Sequence, residues 1–265
     1  QNHDAVAPVL KRAHKFYKRK LKNPRLINAA LDRLMPDVTG DGVKYADVII
    51  EAVFEDLTVK QTLFKALEAK AKPTAILATN TSSIPLDDIS TAMQKPERLV
   101  GLHFFNPVTV MPLVEVVRGI RTSEEIVQQG CAFVRMIDRL PLPVKSSPGF
   151  LVNRILLPYM LEAVNLVEEG VPEAAVDKAA IDFGMPMGPV ELADAVGLDV
   201  CLSVAKNMNE HLGYAVPERL QSMVDKGLLG RKSDQGFYHY HNRKIVRPTL
   251  PKQFVLSPDI IKRLI

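Results

Sequence analysis

The chain has 265 residues, enough to bury a sizeable core in one or two domains. With 47% hydrophobic and 24% charged residues it has the composition of an ordinary globular protein, and no apolar run approaches the ~20 residues of a membrane helix. Net charge is +4, the two cysteines (Cys131, Cys201) stand alone, and no CxxC or HExxH spacing occurs. This argues against a disulfide framework or a metal centre, and for a reduced, intracellular setting with the cysteines as core filler.

The N-terminal stretch QNHDAVAPVLKRAHK has no signal-peptide core. Residues 5–22 have helical period, with Val6, Val9, Leu10, Ala13, Phe16, Tyr17 and Leu21 on one face. Lys11, Arg12, Lys15, Lys18, Arg19, Lys20 and Lys22 fill the other, and Arg25 follows. The cluster is either a solvated face or a site for a polyanion: nucleic acid, acidic lipid or a phosphorylated small molecule. Asn23-Pro24 closes this helix, residues 25–35 read as a second, and 37–44 as turns.

From residue 46 the rhythm changes. ADVIIEAVF (46–54) reads as a strand apolar on both faces, 59–71 as a helix with Leu63, Phe64 and Leu67 inward, and 75–78 as a strand. A short helix (85–93) and strands at 99–104 and 113–117 follow. Thr122 with Glu125 predicts a capping box opening a helix through 137, and 142–145 closes the layer as a strand. Alternating strands and helices predict a doubly wound α/β domain over 1–145. After Ser146-Ser147-Pro148-Gly149 the patterns are helical (151–169, 172–183, 191–212, 217–226), predicting an all-helical domain over 146–240. Residues 241–265 are proline-spaced and read as a linker, with a helix restarting at Ser257-Pro258-Asp259.

Ligands of open α/β sheets bind beyond the carboxyl ends of the strands. Three polar groups are placed there: the loop Asn80-Thr81-Ser82-Ser83, His103 at the end of its strand with Asn106 beyond it, and Glu115 inside an apolar run. A histidine so placed can act as a general base, with a carboxylate holding its tautomer. A surface histidine unrelated to a strand glutamate remains the alternative, as does Ser83 serving only to cap the helix near Leu86. Asn153, in PGFLVNR, lies one turn into the first helix of the second domain, and reads either as a polar surface residue or as an amide donor at an inter-domain cleft.

These motifs together resemble the 3-hydroxyacyl-CoA dehydrogenase family. The resemblance runs in order through IEAVFEDLTVKQTLF (50–64), ATNTSSIPL (78–86), GLHFFNPVTVMPLVEV (101–116), SSPGFLVNRILLPYMLEAV (146–164), FGMPMGPVELADAVGLDV (183–200) and GRKSDQGFY (230–238). The closing segment is similar to the connector between dehydrogenase repeats in multifunctional fatty-acid β-oxidation proteins. The resemblance implies NAD-dependent oxidation of a (3S)-3-hydroxyacyl-CoA to a 3-ketoacyl-CoA on a Rossmann-type domain. Carried over by motif, His103 is the catalytic base and Glu115 its partner, and Ser82 and Asn153 bind substrate. Glu55, Lys60, Ser82, Asn106 and Lys232 match cofactor-side positions, and the basic first helix gains the phosphates of coenzyme A as a partner. A homodimer or thiolase-containing complex is implied, in the cytoplasm if bacterial and in mitochondria or peroxisomes if eukaryotic. A nucleic-acid role is disfavoured, since few aromatics interleave with the basic residues.

The family's fold opens with a strand, a glycine-rich phosphate loop and a helix, roughly 30 residues. The only closely spaced glycines here, Gly40 and Gly42, precede a strand instead of following one, and Tyr45 stands where a third glycine belongs. The 265 residues are therefore expected to lack the first βαβ unit and, alone, to bind NAD poorly or not at all. Two other readings stand beside this one: another NAD-dependent 3-hydroxyacid dehydrogenase, or a non-catalytic dimerisation or docking module.

Overall fold

The computed structural model describes residues 3–213, 215–248 and 258–264. Two helices, α1 (His3–Leu21) and α2 (Pro24–Asp32), pack on each other, with the Asn23 side chain accepting the Arg25 amide at the α2 N-cap. The sheet follows: β1 (Val48–Glu51), α3 (Leu57–Lys70), β2 (Ile76–Thr79), α4 (Leu86–Ser90), β3 (Leu99–Phe104), β4 (Leu113–Arg118), α5 (Glu124–Met136) and β5 (Leu140–Lys145). Its strands lie in sequence order, and all neighbours are parallel except β3 and β4.

Loop length explains that antiparallel pair. Only residues 105–112 join β3 to β4, too few for the crossover a parallel pair needs. Residue alternation then sorts the sheet into two apolar faces. Ile76, Ala78, Val100, Leu102, Val114 and Val116 pack on one side against Ile126, Val127, Cys131 and Val134 of α5. Leu77, Leu99 and Val117 pack on the other, with Phe64 of α3, Leu86 and Ile89 of α4, and Phe150. His103 and Glu115 alternate in phase with this second face. Gly101 lies there too, where a Cβ would come within 2.6 Å of Val117 Cβ.

Beyond β5 come α6 (Val152–Glu168), α7 (Glu173–Phe183), α8 (Pro189–Val196), α9 (Leu198–Leu212) and α10 (Glu218–Asp225). Two cores hold this part together, one centred on Leu157, Leu161, Leu198 and Leu202 and the other on Val176, Ala179, Val190 and Tyr238. The single helix expected over 191–212 is two, because Gly197 sits at φ 106 and turns the chain between α8 and α9. The expected capping box does not form, and the cap is a single hydrogen bond one residue later. Ser123 caps α5 by accepting the Ile126 amide, while the Thr122 hydroxyl donates to the Leu99 carbonyl.

The stretch read as a linker is structured at both described ends. His239–His241 (β6) and Lys244–Val246 (β7) form a hairpin, and α11 (Pro258–Leu264) buries Ile260 and Leu264 against α6 and α7. Residues 249–257, including Ser257, lie outside the described residues. Among the described residues no helix is long and apolar enough to cross a membrane, and no group of His, Cys, Asp and Glu could hold a metal ion. Both cysteines are buried, and burial pushes the Cys201 thiol up to about 12.

Candidate active site

His103 and Glu115 are direct partners across the β3–β4 pair. Side chains opposite each other on one face of an antiparallel pair are close, and here imidazole Nδ1 lies 2.7 Å from Glu115 Oε2. A carboxylate oxygen only accepts, so Nδ1 carries the hydrogen, and in the neutral imidazole Nε2 then presents its lone pair. Nε2 has no protein partner among the described residues. The Glu115 side chain is fully buried, and its second oxygen accepts the Leu151 and Val152 amides at 3.0 and 2.9 Å. Those amides open α6, so one carboxylate joins the sheet's histidine to the N-terminus of the first helix beyond it.

A second network gathers at the ends of β1 and β2. Glu51 ends β1 almost fully buried and accepts from Lys60 Nζ (2.8 Å), the Thr79 hydroxyl (2.7 Å) and the Val53 amide (2.6 Å). Lys60, 1% exposed, also reaches Glu55 at 3.2 Å. Glu55 Oε1 gathers the loop after β2, taking the Thr81 hydroxyl at 2.6 Å and the Ser82 and Ser83 amides at 3.0 and 3.2 Å. Burial alone would raise the Glu55 pKa, but the Thr81 hydroxyl, the Ser82 amide and Lys60 outweigh it and hold it below the usual range. The Asn80 side chain accepts the Phe104 amide at 2.9 Å, linking this loop to the strand end that carries His103.

The eight residues singled out in the sequence thus divide. His103 and Glu115 are in contact; Glu55, Lys60 and Ser82 share a second network joined to the first through Asn80. Lys60 is closed off between two carboxylates, Glu51 and Glu55. Asn106 is exposed, with no partner for its side-chain amide among the described residues. Asn153 is half-buried in the first turn of α6, adjacent to the Val152 amide that holds Glu115. Lys232 sits apart, on the short turn Arg231–Ser233, paired with Asp199 of α9. Ser83 does not cap α4. Its hydroxyl goes to Glu55, and Leu86 donates its amide to Ser146 Oγ.

Glu51, Phe105 and Phe150 escaped the sequence reading. Glu51 had a signal: Lys60 precedes Phe64 by four residues on the inward face of α3, so a buried lysine needed an acid nearby. Gly40 and Gly42 offer no phosphate cradle. Their amides, with that of Asp41, already bind the Asp37 carboxylate and lower its pKa, Gly42 contributing most.

An α/β layer here meets a helical layer at a buried histidine–carboxylate pair, an arrangement suited to acid–base chemistry in a two-layer enzyme. The chain belongs to the 3-hydroxyacyl-CoA dehydrogenase family. Residues 1–147 match the model described as its NAD binding domain, and residues 149–240 its C-terminal domain. A fatty acid oxidation complex subunit alpha from Vibrio vulnificus is 40% identical over 265 residues, covering 97% of this chain and 38% of that protein. One from Aliivibrio fischeri is 42% identical over 231 residues, covering 84% and 34%. The chain therefore spans less than two-fifths of these relatives' length. The structure is similar to that of M. tuberculosis FadB2, with a TM-score of 0.85, 36% identity and coverage of 91% and 88%. The 3-hydroxybutyryl-CoA dehydrogenase from Escherichia coli gives a TM-score of 0.87 at 34% identity, covering 97% of this chain and 56% of that one.

Proposed function

We propose that the protein carrying this chain oxidises a (3S)-3-hydroxyacyl-CoA to the 3-ketoacyl-CoA with NAD, and that His103 is its general base. The observation that carries this reading is the buried 2.7 Å contact between His103 and Glu115. With Nδ1–H committed to Glu115, Nε2 takes the proton of the C3 hydroxyl, and Glu115 stabilises the resulting imidazolium. In reduction, the imidazolium returns that proton to the developing alkoxide. The Asn153 amide and the Ser82 hydroxyl are assigned to the substrate oxygens.

NAD, when bound, accepts the hydride lost from C3. Asn106 and Ser82 fit its nicotinamide end, since among the described residues the Asn106 amide is unengaged and the Ser82 hydroxyl makes only a 3.5 Å approach to Glu55. Glu55 and Lys60 act through the loop they hold. The thioester's phosphates are assigned to α1, whose Lys11, Arg12, Lys15, Lys18, Arg19 and Lys20 are all exposed. The relatives' names support work inside a complex, with a thiolase-type partner or a second copy as the expected neighbour.

His103→Ala is expected to lower kcat for NADH-dependent reduction of acetoacetyl-CoA by roughly 10²–10⁴-fold while leaving thioester affinity nearly unchanged. Wild-type turnover in the variant, or preference of the parent for free 3-hydroxybutyrate over its thioester, would overturn the reading.

A further inference from the structure

Phe150 is the one bulky apolar residue among the described positions with left-handed backbone, at φ 49, directly after Gly149 at φ 71. Such a conformation is strained for a non-glycine residue and persists only where its surroundings over-determine it. Here they do. The Phe150 amide donates to the Ser147 carbonyl at 2.9 Å, and its ring is 1% exposed among Phe64, Leu77, Leu86 and Val117. The connector is pinned upstream as well, by the Ser146 amide to the Arg118 carbonyl and by Ser146 Oγ to the Leu86 amide.

This strained turn aims three groups at one pair of side chains. The Phe150 ring meets the His103 imidazole edge-on, with centroids 5.6 Å apart and planes at 61°. The next two amides, of Leu151 and Val152, bind Glu115. Phe105 lies against the imidazole too, with centroids at 4.6 Å. The bond to Glu115 fixes one edge of the imidazole, and the Phe105 and Phe150 rings pack against it.

We propose that Phe150 is a positioning residue for the base: the inter-domain connector sets the rotation of His103 through the Phe150 ring, and the position of Glu115 through the two amides that follow it. The kinetic part rests on His103 being the base; the geometric part does not. A relaxed φ at 150 would withdraw ring and amides together, so the helical part of the molecule is coupled to the base by this one turn.

Phe150→Leu and Phe150→Ala, with Phe64→Leu as a control in the same apolar cluster, test this. The first readout is the low-field imidazole N–H proton of the His103–Glu115 bond in the free protein, by NMR. The second is kcat and KM with acetoacetyl-CoA. The resonance is expected to broaden or shift in both Phe150 variants and to stay in Phe64→Leu, although all three lose stability. kcat should fall roughly 10-fold in Phe150→Leu and about 100-fold in Phe150→Ala, with KM changed less than about 3-fold. If Phe150→Ala fails to fold, Phe150→Leu decides. An unmoved resonance in a Phe150 variant, or the same change in Phe64→Leu, overturns the proposal. A protein inactive on thioesters but with a shifted resonance would defeat the assigned reaction and leave the positioning intact.

Discussion

Both halves of the molecule bury acids, and two pairs of them are held in opposite ways. At the strand ends, Glu51 and Glu55 share the ammonium of Lys60, and the Glu55 pKa is held below its usual range. In the helical half, Asp177 takes only neutral donors: the Val190 and Glu191 amides and the Tyr238 hydroxyl. Asp194 likewise takes the Phe237 and Tyr238 amides and the Tyr240 hydroxyl. Burial dominates there and raises both, Asp177 to about 6. Glu55 gathers more donors than either aspartate, with the Thr81 hydroxyl and the Ser82 amide ahead of the Lys60 ammonium in lowering it, and it is partly exposed. The site half keeps charge where a polar ligand would meet it. In the helical half, Asp177 and Asp194 serve as hydrogen-bond acceptors that fasten the segment 230–240 to α7 and α8, while the buried Glu191 pairs with Arg231 and Arg247. That fastening is close: a Cβ on Gly188 would fall 2.2 Å from Asp177, and one on Gly236 2.0 Å from Asp194.

The sharpest way to break this contrast is to remove the cation. Lys60→Met leaves Glu51 buried beside a hydrocarbon, and losing one partner of a buried pair costs about 3–5 kcal/mol. Urea unfolding should show a loss of that order, partly recovered in the double variant Lys60→Met/Glu51→Gln. A loss below about 1 kcal/mol would mean that neutral donors hold these carboxylates too, and the two halves would no longer differ in kind.

The helical half makes the complementary case through pH. The folded Asp177 carboxyl titrates at about 6 against 3.8 for an unperturbed one, so between those values the folded chain holds a proton that the unfolded chain has released. The stability this contributes is complete below the lower value and is lost as pH rises through about 6, by at most about 3 kcal/mol. Asp177→Asn should remove that slope. Urea midpoints of wild type and variant, followed from about pH 4 to 7, are expected to converge or cross as pH rises. Parallel curves would sink the assignment.

The site's pair was legible because alternation along β3 and β4 is unambiguous and both residues interrupt apolar runs. Pairing them required knowing that the strands run antiparallel, and the length of 105–112 contained that information. The amides that complete Glu115 left no trace, since a backbone N–H has no residue identity. The β6–β7 hairpin hid behind strands of three residues and a turn in which Asn242 and Arg243 adopt φ 50 and 63 without glycine. The break at Gly197 was lost inside a helical period that continues on both sides of it.

Lys232 marks the weak end of the contrast. Its ammonium pairs with Asp199 as Lys60 pairs with Glu51, but the two side chains are 44% and 40% exposed. Water and salt screen such a pair, so Lys232→Met should cost less than about 1 kcal/mol, and less still at high ionic strength. The same substitution also tests the cofactor-side role assigned to Lys232, because stability and binding then separate. If Lys232 meets NAD, KM for NAD rises while the urea midpoint barely moves. If its work is only to hold the turn 231–233 to α9, neither changes appreciably, and the cofactor-side assignment falls. A large loss of stability would instead show that exposure is a poor guide in this half, and that the fastening of 230–240 depends on charge after all.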